Sequence, residues 1–119
     1  MGSRIQVVNL EEGFPTREQA CKRLDEAIKQ AKKSGVPALK VIHGYGSSGS
    51  GGVLRFALRS QLRQRKEAGE IEAFVPGESW SQFDKYSKQL LKQVPESLVD
   101  SDLGRHNRGI TMVLMRTAG

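Results

Sequence analysis

The sequence predicts an α/β domain, and three observations carry the prediction. A β-branched run opens the chain, two amphipathic helical segments follow, and short apolar runs alternate with them. Strand, helix, strand, helix, strand is the order that builds right-handed βαβ crossovers around a parallel core. The first strand is IQVVNL at residues 5–10. Thr16-Arg17-Glu18-Gln19 forms a capping box that starts the first helix. Ala20, Leu24, Ala27, Ile28 and Ala31 make its apolar stripe, with Cys21 beside it as a small core filler. Lys32 and Lys33 suit the negative end of the dipole, and Gly35 and Pro37 stop the helix.

The second strand, ALKVIH at 38–43, runs straight into a glycine-rich stretch, Gly44 to Gly52, expected to hold neither strand nor helix. A second helix is expected from Val53 to Ala68, with Leu54, Ala57, Leu58 and Leu62 facing the core. IEAFV at 71–75 is the third strand, ended by Pro76-Gly77. A shorter third helix is expected over 81–94, closed by Pro95 and covering part of the core. Residues 96–109 lack periodicity and read as a mobile loop, and ITMVLM at 110–115, apolar on both faces, reads as an inner strand.

At 119 residues the chain is expected to be a single domain. No apolar run approaches the roughly 20 residues that cross a bilayer, no secretory signal opens the sequence, and one cysteine forms no internal disulfide. A reducing cytoplasm is the expected setting. Nineteen Lys and Arg against thirteen Asp and Glu leave a net charge of +6, which makes a polyanion the leading class of partner. Five bases and no acid lie between Val53 and Lys66, whereas Glu96 to Asp102 carries three acids and no base.

Chemistry is expected where a strand ending in His43 meets the glycine loop and a basic helix. Backbone N–H groups of such a loop and helix start form a cradle for an anionic oxygen. Arg55, Arg59, Arg63 and Lys66 fall within about 80° of one another on a 3.6-residue helix and would extend that cradle into a phosphate track. A Walker loop is excluded, because Ser50-Gly51 follows Gly49 where a lysine is required. Gly44-x-Gly46-x-x-Gly49 matches the dinucleotide spacing, but the strands are too few and no acid ends the next one.

Ile42-His43-Gly44-Tyr45-Gly46, the glycines up to Gly52 and Val53-Leu54-Arg55 resemble the I-H-G-x-G…L-R signature of the Smr domain, the small MutS-related module. The first helix and the closing Gly109–Val113 also resemble it. The resemblance implies a two-layer βαβαββ sandwich with a four-stranded mixed sheet, like the C-terminal domain of bacterial translation initiation factor three. It implies binding to duplex or branched DNA or to structured RNA, and in several members nicking. Residues 78–108, a helix plus mobile loop, then stand as an insertion. The family's L-D-x-H pattern is absent: Val8-Asn9-Leu10-Glu11 occupies its place, so Asn9 cannot ionise and Glu11 stands where the histidine belongs.

On this reading the nucleic-acid-binding residues are Gly44, Tyr45, Gly46, Gly49, Gly51, Gly52, Arg55, Arg59, Arg63 and Lys66. His43 is the expected general acid or base, with Glu11 and His106 as further candidates, His106 folding over from the loop. No metal site or cofactor is predicted, Glu11 with Glu12 being the one pair on which a magnesium ion is conceivable. The alternatives are a catalytically inactive binding module, or a protein-interaction module presenting Trp80, Phe83 and Tyr86.

Overall fold

The alternating pattern closes, in a computed structural model, around one four-stranded sheet in the order β1-β2-β4-β3. The structure describes residues 4–13, 15–44 and 50–116. The strands are β1 (Ile5–Asn9), β2 (Ala38–Ile42), β3 (Ile71–Pro76) and β4 (Ile110–Met115), and the helices α1 (Arg17–Ser34), α2 (Ser50–Glu67) and α3 (Lys85–Gln93). Short 3-10 helices span Gly77–Ser79 and Pro95–Val99.

β1 and β2 are parallel, but β4 runs antiparallel to both β2 and β3 and lies between them. The sheet is therefore mixed rather than parallel at its centre. All six residues of β4 are buried, so the most apolar segment takes the position flanked on both edges and both faces. β3 alternates buried and partly exposed residues, as an edge strand does. A bulge at Glu72 puts Ile71 opposite Met115 and Ala73 opposite Leu114, which sends Ile71 and Ala73 to different cores.

α1 starts where the capping box places it: the Thr16 hydroxyl accepts from the Gln19 N–H at 3.1 Å and the Gln19 side chain from the Thr16 N–H at 2.9 Å. It ends on Gly35 in the left-handed conformation. α2 begins at Ser50, ahead of the expected Val53, so Gly51 and Gly52 belong to its first turn. A helical glycine costs about 1 kcal/mol relative to alanine, an amount the burial of Leu54, Leu58 and Leu62 readily exceeds. α3 begins at Lys85 rather than at 81, because the Asp84 carboxylate caps it by accepting from the Ser87 N–H at 2.9 Å.

The two faces of the sheet carry separate cores. α1 and α2 cover the first, where Leu24, Ile28, Leu58 and Leu62 meet Leu39, Val41 and Val113. α3 and its flanking turns cover the second, where Trp80, Leu90 and Val94 meet Val75, Met112 and Leu114. Along β2 the side chain of Lys40 points into this second face, 8% exposed. Its ammonium lies 2.8 Å from Asp100 and 2.5 Å from Asp102. Asp100 also accepts from the Trp80 indole N–H at 3.0 Å, and Asp102 from the Asn107 amide at 2.9 Å.

That cluster corrects the reading of residues 96–109 as a free, mobile loop. A lysine inside an apolar strand needs a counter-charge, and the acid-rich segment supplies two. Gly104 N–H adds a bond to the Trp80 carbonyl at 2.8 Å, and at Gly77 a Cβ would collide with the Asn107 carbonyl oxygen, so only glycine lets the two backbones meet.

Lys40→Met leaves two carboxylates without their cation and should destabilise the fold by about 3–5 kcal/mol at pH 7 in urea denaturation. The Lys40 hydrogen bond, with that of Asn107, holds the Asp102 carboxyl below the usual range. Its stabilising contribution is full above the ordinary aspartate value of about 3.9 and is lost as pH falls through the depressed one. The deficit of the variant should accordingly narrow in acid; a deficit under about 1 kcal/mol at pH 7 would mean solvent already screens the cluster.

Candidate functional site

At the end of β2 the alternation that buries Leu39 and Val41 carries His43 beneath α2, where it is fully buried, 0% exposed. Its Nδ1 lies 2.7 Å from the Gly44 carbonyl oxygen, which only accepts, so Nδ1 carries the proton and donates. Nε2 is then the acceptor for the Thr111 hydroxyl at 2.9 Å. The Thr111 oxygen accepts in turn from Arg59 Nε at 3.2 Å. Arg59 Nη1 and Nη2 donate to the two Glu78 oxygens at 2.9 and 2.7 Å, a bidentate pair.

A single polar chain thus runs from Glu78 through Arg59 and Thr111 to His43 and the Gly44 carbonyl. Burial pushes the His43 imidazole below its ordinary range, against the Gly44 hydrogen bond, and the positive charges of Arg59 and Arg55 push it the same way. Burial opposes ionisation of Glu78, yet the hydrogen bonds and charge of Arg59 hold its carboxyl below the usual range. At neutral pH the chain is one neutral imidazole and one ion pair. His43, expected at the edge of the glycine loop as a general acid or base, instead has both ring nitrogens engaged inside the protein.

The first part of the expected oxyanion cradle is also committed. The N–H groups of His43 and Gly44 both donate to the Gly109 carbonyl, at 2.9 and 3.0 Å, which closes β2 onto β4 and leaves neither amide for an anion. Gly44 holds φ +75°, and a Cβ there would collide with the Glu11 carboxylate. Glu11 is exposed and is fixed against Gly44 by an Asx turn, in which Asn9 Oδ1 accepts from the Glu11 N–H at 2.9 Å. Tyr45, Gly46 and Gly49 lie outside the described residues, while Gly51 and Gly52 stand in the first turn of α2.

The basic track on α2 is uneven. Arg59 faces inward, its side chain 12% exposed and its charge balanced by Glu78. Arg55 has a buried Nε with no hydrogen-bond partner, and its guanidinium sits 4.8 Å from the centre of the Phe56 ring. Arg63 is exposed and unpaired among the described residues. Lys66 lies 4.0 Å from the centre of the Tyr86 ring, across the β3 edge. Arg65, also in the basic run, turns the other way and pairs with Asp25 of α1 and with Glu70.

His106 does fold toward this region. It is exposed, holds φ 56°, and its Nδ1–H donates to the Glu78 carbonyl at 3.2 Å, which leaves Nε2 outward. On the far side of the sheet end, an open cleft of about 440 Å³ is bordered by Glu11, Lys40, Gly44, Asp102 and Asn107. The two sides therefore differ in sign, with free cations on α2 and carboxylates in the cleft. Among the described residues no group of three or more His, Cys, Asp or Glu side chains is placed to hold a metal ion. No helix among them is long and apolar enough to cross a membrane.

Glu78, Thr111 and the Lys40 cluster are residues that sequence reasoning missed. Each leaves a mark there: Thr111 and Lys40 are polar side chains within apolar strands, and polar groups so placed need partners. Trp80, offered as a docking ring, is buried at 1% exposure, whereas Phe83 and Tyr86 are exposed.

Because the folded imidazole has a depressed pKa, its contribution to stability is full above the ordinary histidine value of about 6.5 and is lost as pH falls through the depressed one. The melting temperature should therefore drop between about pH 7 and pH 5 in the parent chain. His43→Gln keeps hydrogen-bonding capacity without the titration and should lose that component. Parallel melting profiles for the two proteins would show that His43 is not linked to protons.

The Smr domain family model matches residues 13–81, a segment that contains α1, β2, α2, β3, His43, Arg59 and Glu78. Among solved structures, the Smr domain of Thermus thermophilus MutS2 superposes with a TM-score of 0.58 at 25% identity, covering 93% of this chain and 98% of that one. No curated protein matches. With its mixed α/β sheet and a family match over more than half its length, the chain belongs to the Smr domain family.

Proposed function

We propose that the chain binds nucleic acid through the start of α2 and the cations of that helix that no carboxylate pairs. The observation that carries this reading is the Arg55 side chain, whose Nε is buried and unpartnered next to a helix start with no acid in its first turn. An unsatisfied buried donor is costly, and a phosphate oxygen is the acceptor that both the guanidinium and the helix dipole favour. Arg63, exposed, and Lys66, half-buried against the Tyr86 ring, add positive charge that no carboxylate balances among the described residues. Membership of the Smr family supports the same partner class, and one half-buried, unpaired thiol at Cys21 suits a reducing cytoplasm.

In this reading His43 positions the Gly44 carbonyl, and through it the start of the glycine loop, while Arg59 and Glu78 hold His43. Arg55, Arg63 and Lys66 meet phosphates directly. Phosphodiester nicking is the second reading, favoured by the outward Nε2 of His106 beside the Glu78 turn. There it would exchange protons with an attacking or leaving oxygen, with Arg55 stabilising charge on the phosphate. No metal is invoked in either reading.

Three contacting cations should give a log–log salt slope of about −2 to −3 in a gel-shift or anisotropy series. Arg63→Ala should shorten that slope by about 0.7–0.9 with the melting temperature unchanged. Arg59→Ala should do the opposite, lowering the melting temperature with little effect on the slope, because its charge is spent on Glu78. If both variants shift the slope equally, Arg59 reaches phosphate after all; a parent chain with no salt-dependent affinity would remove the proposal. For the second reading, plasmid nicking should vanish in His106→Ala with binding retained, and nicking that persists would exclude His106.

A further inference from the structure

Phe56 is a large apolar residue of α2 that belongs to neither core. It is 67% exposed on the face opposite Leu54, Leu58 and Leu62, and the Arg55 guanidinium lies over one side of its ring at 4.8 Å. That contact restrains the ring, so a second planar group would meet it at a small entropic cost. Ser60 is exposed one turn further on, and the unpaired Arg63 lies within about 20° of Phe56 on the helix, roughly 10 Å along its axis.

A flat apolar ring beside two arginines matches the way single strands are held. Bases stack on an aromatic face while cations follow the phosphates. A paired duplex has its bases stacked inside and offers a ring on a convex helix only sugar and phosphate. Resting on the nucleic-acid reading above, we propose that Phe56 is a stacking platform for an unpaired nucleobase, with Arg55 and Arg63 holding the flanking phosphates. The ligand class is single-stranded or locally unpaired DNA or RNA.

Fluorescence anisotropy at one fixed salt concentration tests it, with single-stranded 12-mers of DNA and of RNA, a DNA 12-mer with abasic central positions, and a 12-base-pair duplex. Phe56→Ala should weaken at least one of the two intact single strands by about thirtyfold, the middle of the range for loss of one stacked base. Affinity for the abasic strand and the duplex should not change, and Phe56→Trp should restore binding. An equal loss on the abasic strand or the duplex, or no loss on either single strand, overturns the stacking role. A parent protein that binds none of the four ligands overturns the nucleic-acid reading itself, an outcome distinct from a Phe56 variant that behaves like the parent.

Discussion

The carbonyl of Gly109 and the imidazole of His43 together join the two middle strands at the end where the glycine loop leaves the sheet. Two consecutive amides bond to that one carbonyl, and the imidazole bonds across to Thr111. The His43–Thr111 contact is closed to water, because both side chains are fully buried. The position of Gly44, and so the direction in which the loop departs, follows from this seam. A neutral histidine suits it, since it is both a donor and an acceptor and pays no penalty for buried charge.

Arg59 shows how a charged helix face is divided between structure and surface. Its guanidinium satisfies Thr111, the Ile110 carbonyl and both oxygens of Glu78. Removing charge from solvent is tolerable only with such complete pairing. One turn earlier Arg55 keeps an unpaired Nε, and one turn later Arg63 stays in water. The same spacing in sequence thus yields a structural arginine flanked by two available ones.

On the opposite face, Lys40 organises the segment after α3. Its two aspartates reach it from a stretch that lacks regular periodicity, and the Trp80 indole and Asn107 amide complete the cluster. This arrangement brings residues 104–110 against Gly77 and thereby places His106 beside Glu78. A charge cluster on one face of the sheet so helps to shape the site on the other, because both ends of the segment are fixed by the same backbone.

The elements and their order are local properties: the capping box of α1, the stop at Gly35, the apolar stripe of α2 and the buried character of β4 all follow from spacing and chemistry along the chain. The motif at residues 42–46 was equally legible, since a glycine run after a strand has few other uses. The direction of β4, the bulge at Glu72 and the pairing of Arg59 with Glu78 belong to the tertiary structure. Each depends on residues far apart in the chain, and no local pattern gives the direction in which β4 enters the sheet. Burial of His43 was hidden for the same reason: a strand-end residue is inside or outside according to what packs over it, and here α2 and Thr111 do so. The exposure of Phe56 is the converse, an apolar residue that periodicity leaves without a core to join.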